Sequence, residues 1–228
     1  MMFGYIIAAI FGLISWAVSA RLKNKFAEYS QTGLRSNLSG AEIAQLMLND
    51  HGIYNVTVHS VEGELTDHYN PANRTVNLSR DVYYGRNAAA AAVAAHECGH
   101  AVQHATAYSF LQFRSAMVPV LSVSSRFMPW LILIGFFALR YSVVPLELGI
   151  ALFSLTTLFS FITLPVEFDA SARALAWIDR RKIVTPQEHA MAKDALWWAA
   201  MTYVVSALGS LATLLYYIAV LLGARRND

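Results

Sequence analysis

Two histidines four residues apart, with a glutamate directly after the first, stand at His96-Glu97-Cys98-Gly99-His100. On a helix, positions i and i+4 leave the same face one turn apart, so both imidazoles can reach one ion. Neutral imidazole is a good zinc ligand. Glu97 sits one residue round from His96, beside the position left open on such an ion. A carboxylate there can take a proton from zinc-activated water and later pass it to a leaving amine. A purely structural zinc site is closed by a fourth protein ligand and has no use for that glutamate. The motif therefore predicts His96 and His100 as ligands of one zinc ion per chain, with Glu97 as the general base of a hydrolysis.

Such a site needs a third ligand. His104 continues the same helical row, but eight residues at 1.5 Å each place it about 12 Å along the axis from His96. Bonds of about 2 Å to one ion do not span that distance, so His104 is expected in an outer shell or on polar surface. Glu167, in Pro165-Val-Glu-Phe-Asp-Ala-Ser171, is the better candidate. Asp169 is the alternative. A helix starting after Pro165 would put Glu167 and Ser171 on one face and turn Asp169 away. Cys98 points away from the histidines and reads as helix packing. Gly99 reads as a point of close approach for a neighbouring helix.

These side chains must be positioned by the elements around them. An Ala-rich helix from about Asn87 to Tyr108 carries the motif. Upstream, Ser39 and Glu42 have the spacing of a capping box ahead of Ile43, Leu46 and Met47. Asn49 to Gly52 should stop that helix. Residues 55–59 alternate like a strand, and the segments 64–69 and 74–78 read as a hairpin joined by Asn70-Pro-Ala-Asn73.

The chain has 228 residues, of which 56% are hydrophobic and only 14% charged. A soluble domain carries about 45–50% apolar and about 25% charged residues. The excess lies in long runs, which indicates membrane spans. Four are expected: 3–20, 117–139, 147–166 and 196–222. Between them lie a catalytic segment, 21–116, and a segment for the third ligand, 167–195, in a single metallopeptidase domain over 1–228. A net charge of +2 without basic tracts gives no footprint for nucleic acid. Arg21, Lys23 and Lys25 follow the first run and nothing charged precedes it, so it reads as a retained anchor with its N-terminus outside. Arg21, Lys23, Lys25, Arg35, Arg114, Arg173, Arg180, Arg181, Lys182 and Lys193 then lie inside, with Arg140 and the pair Arg225-Arg226 outside. In either orientation, both polar segments share one side of the bilayer.

Three stretches together resemble a known family: His96-Glu-Cys-Gly-His-Ala-Val-Gln103, Thr66-Asp-His-Tyr-Asn-Pro71 and Glu167-Phe-Asp-Ala-Ser171. They look like the bacterial YugP-type neutral zinc metallopeptidases, over most of the chain. The order of HExxH and a later Glu-Phe-x-Ala-x is similar, more distantly, to the HtpX/Ste24-type gluzincins. The resemblance implies a mainly α, polytopic membrane protein with a small zincin-like α+β part. It implies His96, His100 and Glu167 as ligands and Glu97 as base. Those gluzincins carry an aspartate where Ser171 stands, orienting a zinc-bound histidine, so Ser171 or Asp169 inherits that role. An edge strand beside the motif helix binds extended substrate in gluzincins. Residues 74–78 are expected in that place, or else as a capping hairpin, with His68 or Tyr69 stabilising the transition state.

The expected function is a membrane-bound zinc endopeptidase acting on protein or peptide substrates, membrane-associated ones among them, in the plasma membrane of a bacterium, with its site on the cytoplasmic side. The alternatives are an idle zinc-stabilised scaffold, or a zinc hydrolase of a non-peptide amide or ester. Oligomeric state leaves no mark in the sequence.

Overall fold

The computed structural model describes residues 2–225; Arg226, one of the expected outer charges, lies outside the described residues. In chain order the elements are α1 (Met2–Ser30), α2 (Gly40–Asp50), β1 (Thr57–Val61), β2 (His68–Asn70), β3 (Thr75–Ser79), α3 (Arg80–Tyr84), α4 (Ala88–Ala105), α5 (Ser109–Ala138), α6 (Val144–Arg180) and α7 (Pro186–Arg225). Four of these, α1, α5, α6 and α7, are long and apolar enough to cross a membrane. The protein is a mainly α polytopic membrane protein with a small sheet. Each expected span falls in one of these helices, 117–139 passing the end of α5 by one residue, and the helices are longer than the spans. Hydropathy marks only the part of a helix that needs lipid, whereas polar continuations can pack on protein.

The largest such difference is in α6. A helix start was expected after Pro165, but α6 runs unbroken from Val144 to Arg180 with Pro165 inside it. Proline removes one helical donor, a loss that neighbouring groups compensate more readily in membrane helices than in exposed ones. Glu167, Asp169 and Ser171 are therefore mid-helix residues, held more rigidly than residues of a first turn.

By contact the chain divides into two compact units: residues 1–17, 112–164 and 202–228, and residues 18–111 and 165–201. Both expected polar segments fall mainly in the second. In the first, Ile132, Leu146 and Ile150 form a small core with Phe136, Tyr217 and Ile218 against it. The second unit has the larger core, including Ile43, Met47, Leu48, Val76, Leu78, Trp177 and Ile178.

Local signals in the second unit act as expected. Ser39 Oγ accepts from the Glu42 amide while Glu42 Oε2 accepts from the Ser39 amide, closing the capping box of α2. Beyond its end, Gly52 takes a φ of +68°, a left-handed conformation that glycine adopts without penalty. Asn87 Oδ1 accepts from the Ala90 amide and starts α4. The small side chains of Ala88–Ala95 let the first half of α4 lie buried in this unit.

The sheet has the order β1-β3-β2. β2 and β3 form the expected antiparallel hairpin, with Tyr69 opposite Val76. β1 joins β3 in parallel, Val58 opposite Val76. This corrects the edge-strand expectation for residues 74–78. β3 is paired on both sides and offers no free edge, and it is β2 that lies beside α4 with one edge unpaired in the sheet.

Candidate metal centre

α4 and α6 bring three side chains to one point. His96 Nε2 lies 3.3 Å from Glu167 Oε2, and His100 Nε2 lies 3.6 Å from the same oxygen. Candidate ligand atoms of the three residues all fall within 4.8 Å of one another. Tetrahedral ligands about 2.0–2.1 Å from a zinc ion stand about 3.3–3.4 Å apart. The donor set, two imidazole nitrogens and a carboxylate oxygen, also suits zinc, and three protein ligands leave a fourth position open. The residues present therefore fit the ion the motif predicts.

The geometry depends on a close helix approach. A Cβ at Gly99 would stand 2.6 Å from the backbone oxygen of Ala170. That oxygen belongs to the α6 backbone and cannot swing aside as a flexible side chain would. Gly99→Ala should therefore push α4 from α6, costing about 1–3 kcal/mol as overpacking does. A lowered Tm in detergent micelles, with weaker zinc retention, is the expected result; an unchanged Tm would mean the approach is not tight.

Outer contacts hold each of the two histidines. Ser171 Oγ lies 3.1 Å from His96 Nδ1, so the serine itself reaches the histidine and Asp169 does not replace it. His100 Nδ1 lies 3.0 Å from Gln103 Oε1. Gln103 Nε2 donates to Val166 O and to Asp169 Oδ2, each at 2.8 Å. Asp169 in turn accepts from Arg173 Nε at 2.6 Å. Among the described residues Asp169 is not part of the converging cluster. It faces Gln103 and Arg173. Gln103 was quoted in the motif but given no role from sequence. Its position three residues after His100, on the same helix face, was the available signal.

Glu97 is buried, and its Oε2 accepts from the Tyr69 amide at 2.9 Å. β2 thereby fixes the carboxylate from the sheet side. The Tyr69 hydroxyl lies 2.7 Å from His104 Nδ1, so the pair ties β2 to the far end of the histidine row. His104 is exposed and outside the cluster, as helix geometry requires. His68 has Nδ1 at 2.7 Å from Thr66 O and Nε2 at 3.3 Å from Asn77 Nδ2, which engages both ring nitrogens within the hairpin. Asp67 accepts from the amide and hydroxyl of Ser79. Burial raises its pKa above the ordinary carboxylate value despite those bonds, and the nearby Glu97 charge adds to the rise. Cys98 is buried with its thiol toward Ala44 O, and burial pushes its pKa far up, as expected of packing and not of reactivity.

His100 combines opposing effects. Burial disfavours its charged form, but the hydrogen bond and charge of Glu167, with smaller contributions from Glu97 and Gln103, raise its pKa overall.

With this geometry in hand, similarity to known proteins is informative. Residues 4–222 match the model of a family described as "Putative neutral zinc metallopeptidase". The chain belongs to that family. It is also 42% identical, over all 228 residues and the whole of the relative, to the "Putative membrane protease YugP" of Bacillus subtilis (strain 168). No solved structure matches. Family membership and the converging triad agree on zinc, and the four long apolar helices agree with a membrane setting.

Proposed function

We propose that this protein is a membrane-bound zinc endopeptidase in which His96, His100 and Glu167 hold one zinc ion and Glu97 is the general base. The observation that carries this reading is the convergence of both motif imidazoles on Glu167 Oε2, with Glu97 on the same helix. Zinc held there would polarise a scissile carbonyl and lower the pKa of water. The chain's own residues do the rest. Glu97, fixed by the Tyr69 amide, accepts the water proton and returns it to the leaving amine. Of the two stabiliser candidates, Tyr69 is favoured over His68, whose ring nitrogens are both engaged in the hairpin. In this reading Tyr69 borders the site through its amide on Glu97, and an extended peptide would run along β2.

The substrate is a protein or peptide, membrane-associated ones included. Arg21, Lys23, Lys25, Arg173, Arg180, Arg181, Lys182 and Lys193 all fall in the unit that holds the triad, which supports a cytoplasmic site. The Bacillus subtilis relative supports a bacterial plasma membrane.

The test is to purify the full chain in detergent, measure zinc per chain, and assay casein and a peptide library alongside simple esters. One zinc per chain is expected, with peptide cleavage lost on chelation and restored by zinc. A zinc-replete protein that cleaves no peptide would overturn the endopeptidase reading, and cleavage of esters alone would replace it with another hydrolase.

A further inference from the structure

The two imidazoles of the centre are held in unlike ways. Ser171 meets His96 with a hydroxyl, which can donate or accept and so leaves the ring free to present either tautomer. Gln103 has no such freedom. Its amide nitrogen faces two groups that only accept, the Val166 carbonyl and the Asp169 carboxylate. Turning the amide over would set its oxygen against both. The nitrogen must therefore face α6, and Oε1 must face His100 Nδ1, 3.0 Å away. A carbonyl oxygen only accepts, so His100 carries its proton on Nδ1 and presents the lone pair of Nε2 toward Glu167. Gln103 is fully buried, so water does not compete for any of these bonds. Arg173 holds Asp169 from the far side.

We infer that Gln103 is a positioning residue for the zinc ligand His100: it relays the orienting charge of the Arg173–Asp169 pair to the second histidine of the motif. Ser171 is left as an adaptable partner for His96. This inference rests on the zinc reading above, and its test separates the two.

Zinc affinity is measured by chelator competition on the full chain in detergent, with folding checked by tryptophan circular dichroism. The wild type is the control: if it holds no zinc, the zinc reading fails and takes this inference with it. If it holds zinc, Gln103→Leu should weaken binding by about 10–100-fold, the usual scale for an outer partner of a metal-bound histidine. Ser171→Ala should cost less than Gln103→Leu. Because Gln103 is buried between two helices, the leucine variant has a partner test that keeps the side-chain shape. Gln103→Glu puts a carboxylate against Val166 O and Asp169 and should lose affinity to a similar degree. Adding Asp169→Asn supplies a donor opposite that carboxylate and should recover part of the loss. A residue that merely filled space would show no such recovery. A folded Gln103→Leu protein that binds zinc within about twofold of wild type would overturn the inference. So would a Gln103→Glu loss that Asp169→Asn deepens.

Discussion

Glu97→Gln should keep one zinc per chain and lose about 10²–10⁴-fold in kcat/KM on a peptide substrate. The expectation combines position and chemistry. Glu97 is outside the converging triad, so its loss removes no ligand. Glu97 Oε2 accepts from the Tyr69 amide, and a glutamine oxygen can accept the same bond. The side chain is buried, so replacing a charge by a neutral amide of equal size does not strain the fold. What the amide cannot do is take a proton at neutral pH. Zinc content and Tm should therefore match wild type while turnover collapses. Full activity in this variant would remove Glu97 from the mechanism. A loss of zinc with activity would mean that the carboxylate supports the ion directly.

What was legible beforehand follows the range of the interaction that sets it. The capping box of Ser39 and Glu42, the stop at Gly52 and the hairpin of 64–69 with 74–78 are decided within a few residues, and each appears, the hairpin with its first strand reduced to His68–Asn70. His96 and His100 are likewise local, one helical turn apart. Glu167 was reachable because topology puts the two polar segments on one side, which needs only hydropathy. Three features were out of reach for the same reason. Alternation cannot tell an edge strand from a central one, and β3 is central because β1, far upstream, pairs with it in parallel. Pro165 reads locally as a helix start, yet α6 continues through it, and the position of Gly99 against Ala170 shows how tightly that stretch packs on α4. Gln103 has donors and acceptors decided by Val166 and Asp169 more than sixty residues away, so its sequence position suggested a face and nothing about its partners.

Removing Glu167 should abolish high-affinity zinc binding, while removing Asp169 should only weaken it. Glu167→Ala leaves two imidazoles, one ligand short of the three protein ligands that catalytic zinc sites keep. Its Oε2 lies toward both histidines, and the residue is 3% exposed, so water has little room to replace it. The affinity loss should exceed the roughly 100-fold that outer partners reach. Asp169→Ala keeps all three ligands and removes the support of Gln103 and the partner of Arg173, so its loss should stay within about 10–100-fold. Zinc-dependent stability gives a readout independent of activity. A ligand that binds only the folded state raises stability by RT ln(1 + [L]/Kd), so added zinc should raise the Tm of the chelated wild type. The shift should persist, reduced, in Asp169→Ala and vanish in Glu167→Ala. The pH behaviour of His100 should change in the same variant. The Glu167 carboxylate is what lifts its pKa against the opposing effect of burial. Without that carboxylate the pKa falls below its wild-type value, so His100 becomes neutral at lower pH than in wild type. Nuclear magnetic resonance titration of the chelated proteins would read this directly. A zinc-induced Tm shift that survives Glu167→Ala and disappears in Asp169→Ala would move the third ligand to Asp169.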